Sequence, residues 1–118
     1  MKKIVSLFII MFLLSACGNS SKYETIDTNK ALELIDTGAI ILDVRTVDEF
    51  NREHIPNAIN IPLDQLDTVE FDKDSTIIVY CQSGMRSKEA VEKMAEMEYT
   101  SLYNLDGGLL NWGGILEE

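Results

Sequence analysis

The chain has 118 residues, 20 of them acidic and 10 basic, giving a formal charge of −10 at pH 7, and it contains two cysteines. That balance excludes nucleic-acid binding through phosphate contacts and docking on anionic lipid by charge. The length is enough for one small domain and not for two.

Lys2 and Lys3 precede an apolar segment, Ile4 to Leu14, which is short for a bilayer span and has the size of the central region of a signal peptide. It runs into Leu14-Ser15-Ala16-Cys17, which resembles a bacterial lipobox. The resemblance implies cleavage behind Ala16 and a diacylglyceryl group on the Cys17 sulfur, with two or three acyl chains making a stable anchor. Residues 1–16 are therefore expected to be a lipoprotein signal peptide and residues 17–22 a lipidated tether. Its polar part, Gly18 to Lys22, reaches about 17 Å when extended. The remaining 102 residues would carry a formal charge of −12 and sit outside the cytoplasm, lipid-anchored to a bacterial membrane.

The domain is expected over residues 23–118. Tyr23 to Ile26 reads as a short strand, and Thr28 as the N-cap of a helix with Ala31, Leu32, Leu34 and Ile35 on one face, stopped by Gly38. Ala39 to Val44 is apolar without alternation, as a strand covered on both faces would be. A short helix follows from Val47 to about Glu53, then a brief strand at Ala58 to Ile61 and a helical turn opened by Pro62 around Leu63 and Leu66. Thr76 to Tyr80 reads as a parallel core strand, Ser87 to Ala95 as an amphipathic helix, and Ser101 to Leu105 as the last strand. Gly107-Gly108 then leads into Leu109 to Trp112. Strand and helix alternate throughout, so the fold class is α/β, a central parallel sheet flanked by helices. In such sheets functional groups gather at the carboxyl ends of the strands, where Cys81 and Asp43-Val44-Arg45 both fall.

Cys81 opens the segment Cys81-Gln82-Ser83-Gly84-Met85-Arg86-Ser87, between the core strand and the amphipathic helix. A loop in that place aims backbone N–H groups and the positive end of a helix dipole at one sulfur, which favours the thiolate. If Cys17 is lipidated, Cys81 has no partner within the chain and is the free thiol. Its pKa is expected below the ordinary value of ~8.5.

Taken together, Asp43-Val44-Arg45, Glu49-Phe50, His54-Ile55-Pro56 with Ala58-Ile59-Asn60-Ile61-Pro62, the Cys81 to Arg86 loop, and Asn104-Leu105-Asp106-Gly107-Gly108 with Trp112 resemble the rhodanese family of sulfurtransferases. They run in the family's order across nearly the whole mature chain, as a single rhodanese-like domain. Two positions depart from the family: Glu53 and Asn57 stand where glycine is usual. Asn tolerates a left-handed conformation at Asn57, whereas Glu53 needs an ordinary one.

The resemblance implies that Cys81 attacks the outer sulfur of a small anionic donor such as thiosulfate, expels sulfite, and carries a persulfide that passes to cyanide or a thiol acceptor. The loop is C-x4-R, whereas related cysteine phosphatases use C-x5-R, whose extra residue widens the cradle for phosphate. Phosphatase or arsenate chemistry and a non-catalytic binding domain are the rival readings. Backbone N–H groups of Gln82, Ser83, Gly84, Met85 and Arg86 are expected to stabilise the charged sulfur, and Arg86 to hold the sulfonate end of the donor. Gly84 supplies the positive φ that such a nest needs. Ser83 and Ser87 are candidates to donate to the persulfide or to cap the helix, with Ser87 assigned to the cap. Asp43 and Arg45 are expected to support the loop by orienting each other. His54, the single histidine, and Trp112 are assigned structural roles. No metal-ligand spacing and no phosphate-binding glycine motif is present, so neither metal nor cofactor is expected.

Overall fold

The computed structural model describes residues 22–118; the expected signal peptide, the expected lipidation site at Cys17 and most of the expected tether lie outside them. Five parallel strands, β1 (Tyr23–Ile26), β2 (Ile40–Asp43), β3 (Ile59–Asn60), β4 (Thr76–Tyr80) and β5 (Ser101–Leu105), form one sheet in the order β1-β5-β4-β2-β3. The helices are α1 (Thr28–Asp36), α2 (Val47–Arg52) and α3 (Met85–Glu96), with 3-10 turns at Leu63–Thr68 and Gly108–Asn111. Among the described residues no helix is long and apolar enough to cross a membrane.

The central strand shows why the sheet is covered twice. Ile77 and Val79 of β4 pack on one face with Leu42, Ala90, Val91, Met94 and Leu102, beneath α3. Ile78 and Tyr80 pack on the other with Ile26, Ala31, Ile41 and Leu105, beneath α1. Alternate residues of one strand thus enter two different cores, which is the period-two geometry of a strand that must be apolar throughout.

Two expected caps shift. The α1 N-cap is Asp27, whose carboxylate accepts from Lys30 N at 2.9 Å, and Thr28 is the first helical residue. Helix α3 begins at Met85, with Gly84 as its N-cap, so Ser87 lies within the helix and does not cap it. The turn at Asn57 is left-handed (φ 70°), while Glu53 is extended (φ −171°). His54 stacks on Phe50 with 3.8 Å between ring centroids and pairs with Glu117 at 3.4 Å, tying the α2 exit to the C-terminus. Trp112 packs at the C-terminal turn and donates to Ile115 O at 3.1 Å.

Candidate active site

β4 delivers Cys81 to the carboxyl edge of the sheet, and Gly84, in the left-handed region at φ 99°, turns the chain back over it. The loop is pinned from β5's side: Leu109 N donates to Cys81 O at 2.9 Å and Leu110 N to Gln82 O at 3.1 Å. Gly108 permits that approach, because a Cβ there would run into the Cys81 carbonyl. A left-handed glycine in the loop and a bare backbone under it therefore set the sulfur's surroundings.

The Cys81 sulfur is buried, and it accepts from Gly84 N and Ser87 N, both at 3.2 Å. Its thiol lies 3.5 Å from Ser87 Oγ, which in turn donates to Asn104 Oδ1 at 2.6 Å. Burial pushes the thiol pKa up, but hydrogen bonds from the Ser87 hydroxyl and from the N–H groups of Ser87, Gly84 and Ser83 outweigh it and bring the pKa below its ordinary value. Of the loop amides expected at the sulfur, Ser83 and Gly84 contribute, and Ser87, one residue past the expected set, joins them. The Ser87 hydroxyl has one hydrogen, and the sulfur at 3.5 Å and Asn104 Oδ1 at 2.6 Å both call on it.

The remaining loop residues are spread around this centre. Gln82 takes its side chain away from the sulfur, its Oε1 accepting from Arg45 Nη1 at 3.3 Å. Ser83 is exposed, and Met85 stands out into solvent with 78% of its surface exposed. Arg86 is held by Glu49 through two parallel bonds, Nη1–Oε1 at 2.8 Å and Nη2–Oε2 at 3.0 Å. The Arg86 guanidinium holds the Glu49 carboxyl down to about 2. Glu49 also closes a capping box, with Thr46 N donating to its Oε1 at 3.0 Å and Glu49 N to Thr46 Oγ1 at 3.2 Å. The N-terminus of α2 and the start of α3 are thereby bracketed together. The sequence signal for half of this was present in Thr46-x-x-Glu49; the partner Arg86, 37 residues away, was not readable from it.

Asp43 and Arg45 support the site from below. Both are buried, and Arg45 Nη2 lies 2.7 Å from Asp43 Oδ2 while its Nε donates to both carboxylate oxygens. Arg45 Nη2 also donates to Glu53 O at 2.8 Å, and its guanidinium stands 5.6 Å from the Tyr80 ring centre. Burial works against the Arg45 charge, and the bonds to Asp43 overcome it and raise the pKa. Asn60 Nδ2 bridges the carbonyls of Asp43 and Arg45 at 3.1 and 3.0 Å. The pair orients Gln82 and the β2 exit without reaching the sulfur.

A parallel sheet that ends in a buried, amide-cradled thiol defines a cysteine-loop domain. The family model described as rhodanese-like domain matches residues 27–114, and the chain belongs to that family. The Bacillus subtilis protein YqhL is 41% identical over 81 residues, covering 67% of this chain and 64% of its own, so the match spans just under two thirds of that relative. The thiosulfate sulfurtransferase GlpE of Coxiella burnetii is 31% identical over 93 residues, covering 76% of this chain and 87% of its own. A crystal structure of a rhodanese-like domain protein from Staphylococcus aureus superposes with a TM-score of 0.71 at 31% identity, covering 80% of this chain and 96% of the other.

Proposed function

We propose that the protein is a sulfurtransferase in which Cys81 carries sulfane sulfur as a persulfide. The observation that carries this reading is the buried Cys81 sulfur held by the Gly84 and Ser87 amides inside a six-residue loop. The family and a relative named thiosulfate sulfurtransferase support it.

The Cys81 thiolate attacks the outer sulfur of thiosulfate, forming a new S–S bond while the old one breaks and its electron pair leaves with sulfite. An acceptor then attacks the terminal sulfur: cyanide becomes thiocyanate, or a thiolate becomes a persulfide, and Cys81 departs as the thiolate. Amides fixed before the reaction stabilise the sulfur wherever negative charge collects, without reorganising. Arg86 spends two of its five N–H bonds on Glu49 and keeps the others for the sulfonate. A groove of about 400 Å³ lies beside Arg86, lined by Val44, Leu63 and Lys93 among others. The compact loop disfavours the wider phosphate cradle.

We propose further that the domain is lipid-anchored outside the cytoplasm through Cys17, as the basic start, apolar segment and Leu14-Ser15-Ala16-Cys17 suggest. Radiolabelled lipid on Cys17→Ala would refute the anchor. For the chemistry, residues 23–118 are expected to transfer sulfur from thiosulfate to cyanide, to show negligible turnover of aryl phosphates, and to lose transfer in Cys81→Ser. Aryl-phosphate turnover without sulfur transfer would replace this reading with a phosphatase, and absence of both would favour a binding domain.

A further inference from the structure

Cys81, Ser87 and Asn104 form a buried chain that runs from the end of β4 through the first turn of α3 to β5. Ser87 Oγ lies 3.5 Å from the sulfur and 2.6 Å from Asn104 Oδ1, and none of the three residues is more than 5% exposed. A hydroxyl has one hydrogen to give. Directed at Asn104, that hydrogen leaves Ser87 Oγ free to accept from the Cys81 S–H, the arrangement that the 2.6 and 3.5 Å separations fit. It suits the thiol and fails the thiolate, because an ionised sulfur has no hydrogen to offer and needs one.

Turning the hydroxyl alone does not meet that need. Ser87 Oγ would then set its lone pairs against Asn104 Oδ1, leaving a buried carbonyl oxygen without a donor. Reversing the Asn104 amide does meet it, since Nδ2 then donates to Ser87 Oγ and the hydroxyl donates to sulfur. The terminal torsion of asparagine is broad and roughly two-fold. The Asn104 side chain makes no other hydrogen bond among the described residues, so reversal breaks no second contact. Asparagine can accept in one state and donate in the other; aspartate only accepts, and leucine does neither.

We propose that Asn104 is a positioning residue whose side-chain amide turns end for end as Cys81 ionises, so that the Ser87 hydroxyl accepts from the thiol and donates to the thiolate. The reversed state serves twice in a turnover, when the thiolate attacks the donor and when it departs from the transferred sulfur. This role rests on Cys81 as the sulfur carrier proposed above. Neither charged pair near the loop hydrogen-bonds to the sulfur: Arg86 pairs with Glu49 from α2, and Arg45 with Asp43 at the end of β2. Tyr80, the last residue of β4, is kept protonated by burial. Ser87 and Asn104 are the neutral pair left to respond to the sulfur.

Isotope-labelled full-length protein in detergent micelles gives the direct test. As pH rises through the Cys81 ionisation, NOEs from the Asn104 Nδ2 protons to the Ser87 β protons should strengthen severalfold, and in Cys81→Ser they should stay at the low-pH level. The same pattern at both ends of the Cys81 titration overturns the proposal. A chemical arm uses Asn104→Asp, which fixes the hydroxyl hydrogen on a permanent acceptor. Alkylation rates followed at the Cys81 peptide across pH should then show its pKa raised by about one unit, a tenfold loss of thiolate. In a Ser87→Ala background the same substitution should move it by less than half as much, because only the added charge remains; equal shifts in both backgrounds overturn the proposal. Both readouts use the free protein, so reversal seen without sulfur transfer would count against the proposed reaction and leave the role of Asn104 standing.

Discussion

Two buried polar clusters sit at neighbouring strand ends, and they are built on opposite plans. Below the loop, Asp43 and Arg45 are full charges joined by several bonds, with Glu53 O and Gln82 Oε1 accepting further guanidinium N–H groups and Asn60 bridging the two backbone carbonyls. Around the sulfur, Ser87 and Asn104 are neutral and share one hydrogen along a chain. An ion pair removed from water holds its geometry because breaking it strands a charge. A neutral hydroxyl and amide can exchange roles at small cost. The first cluster fixes where the loop is, and the second lets the loop follow the charge on its sulfur.

Removing one partner from each cluster separates these roles. Asp43→Asn leaves the Arg45 charge buried without its counterion, and chemical denaturation should show a loss of about 3–5 kcal/mol. Ser87→Ala should cost less stability, about 1–3 kcal/mol for the stranded Asn104 oxygen. Its larger signature is in reactivity: Cys81 alkylation at neutral pH should slow about tenfold as the thiol pKa rises. If Asp43→Asn left stability intact while Ser87→Ala unfolded the domain, the assignment of scaffold and responsive cluster would be reversed.

The partly exposed Arg86–Glu49 pair lies between the two extremes and sharpens the contrast. Glu49 neutralises Arg86, the cation proposed to hold the donor, so Glu49→Gln should lower the thiosulfate KM a few-fold at low salt, an advantage that fades as salt screens it. Stability should change by less than about 1 kcal/mol, as for other exposed pairs. The folded Glu49 pKa is depressed from 4.5 to about 2, so its contribution to stability is complete above about 4.5 and is lost as pH falls toward 2. Thermal midpoints across that window should fall more steeply for the parent than for Glu49→Gln; parallel curves would remove the pair from the account.

Much of this was legible in the chain because it is local. β4 and β5 lie at the expected residues, the Cys81 loop follows from a strand, a glycine and a helix in succession, and Asn57 takes the left-handed turn its side chain permits. The errors arose where neighbouring residues were equally suited to a role. Asp27 and Thr28 both cap helices, and periodicity does not separate them by one residue. Ser87 has the chemistry of a cap, but the left-handed Gly84 starts the helix two residues earlier and turns Ser87 onto the sulfur. Glu49 and Asn104 were visible only as parts of family motifs. Their roles come from topology, which sets α2 and β5 beside a loop 37 and 17 residues away from them in sequence.

The central claim is that the loop makes Cys81 a sulfur carrier, and peptide mass spectrometry of the domain after exposure to thiosulfate tests it most directly. The Cys81 peptide should gain the mass of one sulfur atom and lose it when cyanide is added, with thiocyanate appearing in equal amount. A Cys81 peptide that stays unmodified under thiosulfate, or an adduct that cyanide cannot remove, would contradict the claim.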